Sequence, residues 1–342
     1  MSQRKPSLPP AFRLADFRPA LPGRHWANWV LPLLVVLGLG IFPLLTGKDV
    51  HRETMFTLLR AVVMAVSLNI ILGYTGYVSF GHVVFFGLGG YVGFYLVAVQ
   101  GRTLWEALLA GGLAAGLLAW LIGIGILRLR GAYFALVTIG VNEAVKAFIQ
   151  NFDPFGGPLG LTMNFSVYQA YGGPRAMLQM TYYILVALAV AAVLLAYAVR
   201  TSKFGLGLLS IREDEDAAEV MGVVTPLAKT WAFVLSAILP GMVGALFFFR
   251  NGSVEPHEAF PLHLSIEAIV MVMLGGQGTV LGPVLGAAGY QAMRAFLLTN
   301  RYLKDIQLTV SGALLLLIVL FIPAGLIGWL RRRFPASRRV LL

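Results

Sequence analysis

Long runs of apolar residues, separated by short polar breaks, divide the chain into about ten segments. The runs fall at 28–46, 55–73, 82–99, 105–126, 132–150, 179–199, 230–249, 264–280, 283–298 and 308–330. About 20 apolar residues cross the hydrocarbon core of a bilayer, and continuous rather than alternating runs are typical of helices rather than barrel strands. The pattern predicts an all-α integral membrane protein, a polytopic bundle of about ten transmembrane helices in the lipid bilayer.

The basic residues predict the orientation of this bundle, because Lys and Arg collect on the cytoplasmic side of membrane proteins. With the N-terminus inside, 16 of the 26 basic residues fall in cytoplasmic segments, 7 in outer loops and 3 within apolar runs. We expect a basic cytoplasmic tail at 1–27, a transmembrane domain at 28–330 and a second basic tail at 331–342. This distribution also explains the net charge of +11, so nucleic acid is not an expected partner.

Several kinds of enzyme are excluded by missing motifs. The chain has no cysteine, which removes disulfides, thiolate metal ligands and cysteine nucleophiles. The only Gly-Lys pair, Gly47-Lys48, is followed by Asp49 rather than by the Ser or Thr of a P-loop, and HExxH does not occur. Ser79 has a glycine three residues before it, where a nucleophile elbow needs one two residues before. We predict no catalytic residue, metal or cofactor, so another subunit must hydrolyse any ATP.

An acidic cluster, IREDEDAAEVMGV at 211–223, stands out in a chain of which 12% of the residues are charged. It lies in the longest predicted cytoplasmic loop, the coupling segment 200–229. We predict one short surface helix there, ended by Gly222 and Pro226. Its apolar stripe would be Ile211, Ala217, Ala218 and Met221, opposite the polar Arg212, Glu213, Asp216 and Glu219. A solvated charged loop is the alternative, but acids where lysines are the rule favour the docking of a partner protein.

Five segments resemble, in the same order, the ABC-importer permeases for branched-chain amino acids. They are NIILGYTGYVSFGHVVFFGLGGY from Asn69, LRLRGAYFALVTIG from Leu127, GGPLGLT from Gly156, the stretch SKFGLGLLSIREDEDAAEVMGVVTPLAKTWAFVLSAILPGMVGAL from Ser202, and MLGGQGTVLGPVLGA from Met273. In that family the short cytoplasmic helix is the coupling helix, which sits in a cleft of the ATPase subunit. DAA, followed by Gly222, is similar to the EAA-x-x-x-G signature of bacterial import permeases, with Asp in place of Glu. The resemblance implies ATPase contacts for Arg212, Glu213, Asp214, Asp216, Ala217, Ala218 and Gly222.

The same resemblance implies a function and a set of partners. It implies a type II-like importer with two ABC ATPase subunits, a second related permease, and an extracytoplasmic solute-binding protein that docks on outer loops around 151–178 and 250–263. Branched-chain, hydrophobic amino acids are the leading substrates, with urea or short amides as the alternative within the family. A stand-alone secondary carrier or channel is a further alternative, since intramembrane charges could relay ions. We expect a bacterial inner-membrane protein with both termini in the cytoplasm.

Two glycine-rich segments, 73–82 and 275–283, interrupt the apolar runs. Glycines at membrane depth allow a helix to break where it lines a cavity, and half-helix ends suit the carboxylate and ammonium groups of an amino acid. Tight turns at the membrane surface are the alternative. The substrate-path candidates are Asn69, Gly73, Tyr74, Gly76, Ser79, His82, Gly275 and Gln277.

Ionisable residues within apolar runs are costly in a membrane and are candidates for function. Glu143 and Lys146 are one helical turn apart, and we expect them to form a buried charge pair. Glu267 and Arg294 lie on neighbouring predicted spans and could form a second buried pair. Arg60 is placed near the end of a span, from which its side chain could reach the interface.

Overall fold

The structure, a computed structural model, describes residues 27–46 and 49–299 together with short pieces at 306, 309–310, 312–313, 316–317 and 325–328. The helices are α1 (Ala27–Thr46), α2 (Asp49–Thr75), α3 (Val83–Ala98), α4 (Leu104–Ile126), α5 (Ala132–Gln150), α6 (Phe165–Ala170), α7 (Pro174–Thr201), α8 (Lys203–Glu213), α9 (Glu215–Val220), α10 (Thr225–Asn251), α11 (Pro256–Ala259), α12 (Leu262–Gly275) and α13 (Leu281–Thr299). Strands β1 (Leu161–Thr162) and β2 (Ser253–Val254) pair antiparallel. Both predicted tails and most of the predicted span at 308–330 lie outside the described residues.

The first nine predicted spans each coincide with a helix in the described part of the chain, and the expected all-α polytopic fold is confirmed. Among the described residues, six helices are long and apolar enough to cross a membrane. They are His51–Thr75, Leu104–Ile126, Ala132–Gln150, Pro174–Thr201, Thr225–Asn251 and Pro256–Gly275. The predicted span at 264–280 is too long, because α12 ends at Gly275 and Gly276 has a positive φ of 121° that breaks the helix.

Hydrogen bonds and ion pairs sort the connections between helices into two ends of the bundle. One end, here called the coupling end, holds the connections 127–131, 202–224 and 276–280, which contact one another and the end of α2. The other, the hairpin end, holds 99–103, 151–173 and the β1–β2 pair. Successive long helices therefore run in alternate directions, as in a chain that crosses a membrane repeatedly.

Helix α10 packs directly against α3 and α4, and small residues make the close approach possible. A Cβ atom added to Gly241 would lie 2.6 Å from the main-chain oxygen of Gly111 on α4. A Cβ atom added to Gly244 would lie 2.0 Å from the main-chain oxygen of Phe86 on α3. The three backbones are therefore in contact, and a larger side chain at either glycine would force the helices apart.

Helix α3 begins in the middle of the bundle rather than at its coupling end. His82, just before it, places Nε2 3.1 Å from the main-chain oxygen of Ser236, which lies about 16 Å along α10 from that helix's start at 1.5 Å per residue. The N–H of Val83 donates to Oγ of Ser265, in the first turn of α12, at 2.8 Å. Segment 76–82 therefore extends from the coupling end to the middle of the bundle, where α3 begins.

Segment 252–261 extends into the middle of the bundle from the hairpin end. Asn142, in the middle of α5, donates from Nδ2 to the main-chain oxygen of Phe260 at 3.1 Å. The ring of Phe260 also stacks on Tyr91 of α3, with centroids 6.1 Å apart. The half-length helices α3 and α12 thus begin side by side at mid-depth, each preceded by a non-helical segment that enters from the opposite end.

Candidate functional site

The coupling segment 200–229 contains two short helices, α8 and α9, instead of the single short helix that the sequence predicts. Helix α8 ends at Glu213, and Asp214 is extended, with φ −158° and ψ 114°. The Asp214 carboxylate accepts a hydrogen bond from the N–H of Ala217 at 2.9 Å and caps α9. Aspartate is among the strongest N-cap residues, so it starts a new helix here. Gly222, with φ +91°, follows the end of α9 as expected.

The predicted apolar stripe of this segment is correct for only half of its members. Ile211 and Ala218 are buried, whereas Ala217 is exposed and Met221 is 71% exposed, next to Val220 at 89%. The physical reason is the break before α9: a helix of six residues makes fewer than two turns, and Ala218 is the one apolar residue of α9 that is buried against the bundle. The other apolar residues at its end face away from the bundle.

The inner side of α9 is fixed to the bundle through Glu215, whose side chain is 13% exposed. Lys229 Nζ donates to Glu215 Oε1 at 2.6 Å, and the Tyr77 hydroxyl donates to Oε2 at 2.7 Å. Lys229, near the start of α10 and 1% exposed, also donates to the Tyr77 oxygen at 2.9 Å and to the main-chain oxygen of Leu127 at 2.7 Å. One buried ammonium group therefore joins α9 to α10, to segment 76–82 and to the end of α4.

Arg130, in the connection between α4 and α5, adds a more exposed ion pair. Its guanidinium contacts both carboxylate oxygens of Asp216, at 2.7 and 3.2 Å, and these hydrogen bonds and its charge lower the pKa of Asp216. Burial alone raises the pKa of Glu215, but the hydrogen bonds from Lys229 and Tyr77, with the charges of Lys229 and Arg130, together outweigh it and lower that pKa below its ordinary value. Both carboxylates are ionised at neutral pH, so α9 is held by charge.

Two arginines connect the coupling segment to breaks in the spans. Arg212 was expected on the outer, polar side of a surface helix. The structure turns it inward, and Nη1 donates to the main-chain oxygen of Gly73 near the end of α2 at 2.8 Å. Its side chain is drawn there because that oxygen lies near a helix end, where main-chain acceptors need partners. Arg200 Nε donates to the main-chain oxygen of Gly278, between α12 and α13, at 3.1 Å.

Asn69 completes this junction from within α2. Its Nδ2 donates to the main-chain oxygen of Thr279 at 2.9 Å, and its Oδ1 accepts from the N–H of Gly278 at 3.0 Å. The hydroxyl of Tyr74 donates to the main-chain oxygen of Ala196 on α7 at 3.1 Å. These two substrate-path candidates therefore hold the coupling end of the bundle together.

The other substrate-path candidates lie in or beside the breaks. Ser79 and His82 are buried, and Ser79 Oγ and His82 Nδ1 have no hydrogen-bond partner among the described residues. Gly76 has a positive φ of 79°, Gly275 is buried in contact with α13, and Gln277 is half-buried. None of the eight candidates lines the cavity of about 620 Å³ between α2, α10 and α13. Their role in a substrate path stays a prediction.

The intramembrane charges differ in burial. Glu143 and Lys146 are 3.8 Å apart, but the Glu143 side chain is 51% exposed. The expectation of a buried pair is wrong within this chain, because only 22% of the α5 span is buried. Glu267 and Arg294 form an ion pair of 3.3 Å in which Glu267 is 4% exposed. α2 begins at Asp49, six residues before the predicted run, and whether Arg60 reaches the interface from its position in this helix stays a prediction.

Four members of the network at α9 are not among the predicted contact residues: Tyr77, Arg130, Glu215 and Lys229. Lys229 carried a usable signal, because a cation near the start of an otherwise apolar helix of 27 residues must find a partner. Tyr77 carried none, since only the course of segment 76–82 brings its hydroxyl to Glu215.

These features define a polytopic helical membrane protein in which a short helix at one end is joined to breaks in the spans. The chain matches the family described as branched-chain amino acid transport system / permease component over residues 53–319. It belongs to that family, as its resemblance suggested.

Individual relatives cover most of the chain. It is 28% identical over 331 residues to the high-affinity branched-chain amino acid transport system permease protein LivM of Salmonella typhimurium LT2, covering 89% of this chain and 75% of the relative. Escherichia coli K12 LivM is 28% identical, with 79% and 68% covered. Salmonella typhimurium LivH is 26% identical, with 78% and 90% covered. No solved structure matches the chain. The protein is therefore a multi-pass membrane permease component of a transport system.

Proposed function

We propose that this chain is the membrane-spanning subunit of an ABC importer for branched-chain amino acids in a bacterial inner membrane, with both termini in the cytoplasm. Two partner ATPase subunits supply the energy, and a second related permease completes the pathway. An extracytoplasmic solute-binding protein delivers the solute at the hairpin end. The substrate class follows the names of the relatives, which are branched-chain amino acid permeases. Urea or short amides are the alternative cargo for the same architecture.

The observation that carries this proposal is the two-sided construction of α9. Its outer end exposes Val220 and Met221 at 89% and 71%, beside the exposed acids Glu213 and Glu219. Exposed apolar residues ringed by charge are typical of a protein–protein contact. Its inner side is held by the buried Lys229. A helix built this way receives a push from a partner and passes it into the bundle.

The contacts of α8 and α9 support a route for that push. Movement of α9 displaces Glu215 and, through Lys229 and Tyr77, segment 76–82 below α3. Movement of α8 displaces Arg212 and with it the end of α2. Rigid helices then carry both displacements towards mid-depth, in an alternating-access cycle of the kind used by transporters with broken helices.

The docking role is tested by placing charge on the exposed tip of α9. We expect Val220→Asp with Met221→Asp to reduce retention of the ATPase subunits during purification at least tenfold, as for two residues at the centre of an interface. Leu159→Asp is the matched control, because Leu159 is 86% exposed at the hairpin end. Undiminished ATPase retention in the double variant, with the permease folded, would remove α9 as the docking site.

The need for a motor is tested in proteoliposomes. In vesicles that carry the ATPase subunits on the inside, leucine uptake should require those subunits, the sister permease and internal ATP. Uptake by the chain alone, driven by a proton or sodium gradient, would identify a secondary carrier and overturn the proposal.

A further inference from the structure

A cavity of about 620 Å³ lies between α2, α10 and α13, in the half of the bundle nearer the hairpin end. Its volume falls within the range of small-molecule sites, roughly 300–1,000 Å³. Much of its wall is apolar, with Met55, Leu58, Phe247 and Leu298, and its charged members are Arg60 and Arg294. A separate small pocket of about 20 Å³ shares Arg60 with this cavity and is lined by Glu267 on α12.

The charges around this cavity do not balance among the described residues that line it. Arg294 pairs with Glu267 at 3.3 Å, which leaves Arg60 as a second cation near the same carboxylate. Arg60 lies near the middle of α2, on the apolar stretch that follows the polar first residues of that helix. A cation at membrane depth is costly unless an anion joins it.

The donors that would meet such an anion are already free. The Arg60 guanidinium stacks on the ring of Phe247, with Cζ 4.5 Å from the centroid, and makes no hydrogen bond or ion pair with a described residue. Stacking uses the face of the guanidinium and leaves its N–H edge available. Arg294 uses Nη1 for Glu267, and its Nε is buried out of reach of a solute in the cavity, so Arg60 is the residue whose donors face such an anion.

We propose that this cavity binds the carboxylate group of the transported solute, held by the guanidinium of Arg60. Guanidinium and carboxylate match in a bidentate geometry, which makes this pair selective for a planar anion. Glu267, which pairs with Arg294 and lines the small pocket beside Arg60, supplies negative charge on the side that receives the ammonium group of a zwitterionic amino acid. The apolar wall accommodates a branched aliphatic side chain. The site deepens the proposed function and rests on it, since it names the part of the solute that the membrane domain recognises.

The test uses the complete importer, nucleotide-free, in nanodiscs of phosphatidylcholine, with radiolabelled leucine as the probe. We expect wild-type complex to bind leucine, and Arg60→Gln to weaken binding about 10- to 100-fold, the effect of losing a hydrogen-bonded charge. Arg60→Lys keeps the charge without the planar fork and should fall between the two. Arg102→Gln is the matched control, because Arg102 is exposed in the outer 99–103 connection. Monodispersity and a cooperative thermal unfolding transition establish that each variant is folded.

A second probe separates contact from a structural role. Leucinol has the same side chain and ammonium group but no carboxylate, so it should bind weakly to wild type and equally weakly to Arg60→Gln. If Arg60→Gln weakens leucine and leucinol equally, or weakens neither, the carboxylate site is wrong. Adding phosphatidylglycerol should leave leucine affinity unchanged, and competition by this lipid would identify a lipid phosphate as the occupant and overturn the proposal.

The outcomes also separate this site from the proposed function. Wild-type importer that takes up leucine on ATP, without detectable binding to the nucleotide-free complex or without an effect of Arg60→Gln, removes the site and leaves the function standing. Wild-type importer that takes up no branched-chain amino acid removes both.

Discussion

Replacing Lys229 with Met should separate ATP hydrolysis from transport. The side chain of Lys229 is buried, and its ammonium group is shared by Glu215, Tyr77 and the main-chain oxygen of Leu127. Methionine has a similar length and fills the same space without the charge. The variant therefore removes the link between α9 and α10 while leaving the packing of both helices in place.

The magnitude follows from what is left unpaired. Loss of the ammonium group leaves a largely buried Glu215 carboxylate with Tyr77 and, at 3.6 Å, Arg130 as its remaining partners. Breaking a buried ion pair costs roughly 3–5 kcal/mol, and because Arg130 remains we expect about 3 kcal/mol. Removing both charges, with Glu215→Leu added, should cost less than the two single changes together, because no buried charge then lacks its partner.

Two assays check this reasoning. Thermal unfolding of the purified complex should show a fall in Tm on the order of 5 °C for Lys229→Met and partial recovery in the double variant. In proteoliposomes, ATP hydrolysis by the partner subunits should persist while leucine uptake falls by more than tenfold. Full coupling in Lys229→Met, or strictly additive losses in the double variant, would refute the role assigned to this pair.

Other variants probe different parts of the molecule. Gly244→Ala sets a Cβ 2.0 Å from a main-chain oxygen of α3, so we expect a loss of about 1–3 kcal/mol in thermal unfolding, whereas Gly140→Ala, inside α5 with nothing within 4 Å, should be neutral or stabilising by up to about 1 kcal/mol. Arg212→Gln should lower uptake about tenfold at nearly unchanged ATP hydrolysis; equal losses of both would point to misfolding instead. The pKa values of Glu215 and Asp216 are lowered in the folded protein, so their ionised carboxylates stabilise α9 at pH values above their ordinary pKa values of 4.5 and 3.8. This stabilisation is lost as the pH falls through the lower, folded-state pKa values. Hydrogen exchange of α9 amides, corrected for intrinsic rates, should therefore accelerate below about pH 4, and acceleration that instead begins near neutral pH would contradict this assignment.

The spans could be predicted from the sequence because each is a continuous apolar run bounded by glycine or charge. Their first nine positions agree with the structure to within about six residues at each end; α2 begins at Asp49, six residues early, and Gly276 ends α12 before its predicted run is complete. The family could also be predicted, since its landmarks occur in order along the chain. Both signals are local, and neither depends on which residues meet in space.

Two features could not be predicted in the same way: how deep in the bundle the non-helical segments end, and which side chains hold α9. The periodicity of the sequence indicates that segment 76–82 interrupts a helix. It does not indicate that this segment extends into the bundle as far as Ser236 before α3 begins. The acids of the coupling segment look alike in sequence, yet Glu215 is drawn inward by Lys229 while Glu213 stays exposed. Asp214 shows most clearly what local sequence patterns miss, because it can be identified as the N-cap of α9 only once the break between α8 and α9 is known.

The contacts of α10 give it the mechanical role of a lever arm. It is joined to α9 at one end through Lys229, clamped near its middle where glycine permits backbone contact with α3 and α4, and bound at its far end through the Arg250–Glu53 pair to α2. With 27 residues the helix is about 40 Å long, so a rigid tilt of about 5° about the clamp would move its two ends sideways in opposite directions, by about 3.5 Å in total. A small tilt of α10 would therefore displace the coupling end and the hairpin end of the bundle at the same time, in opposite directions.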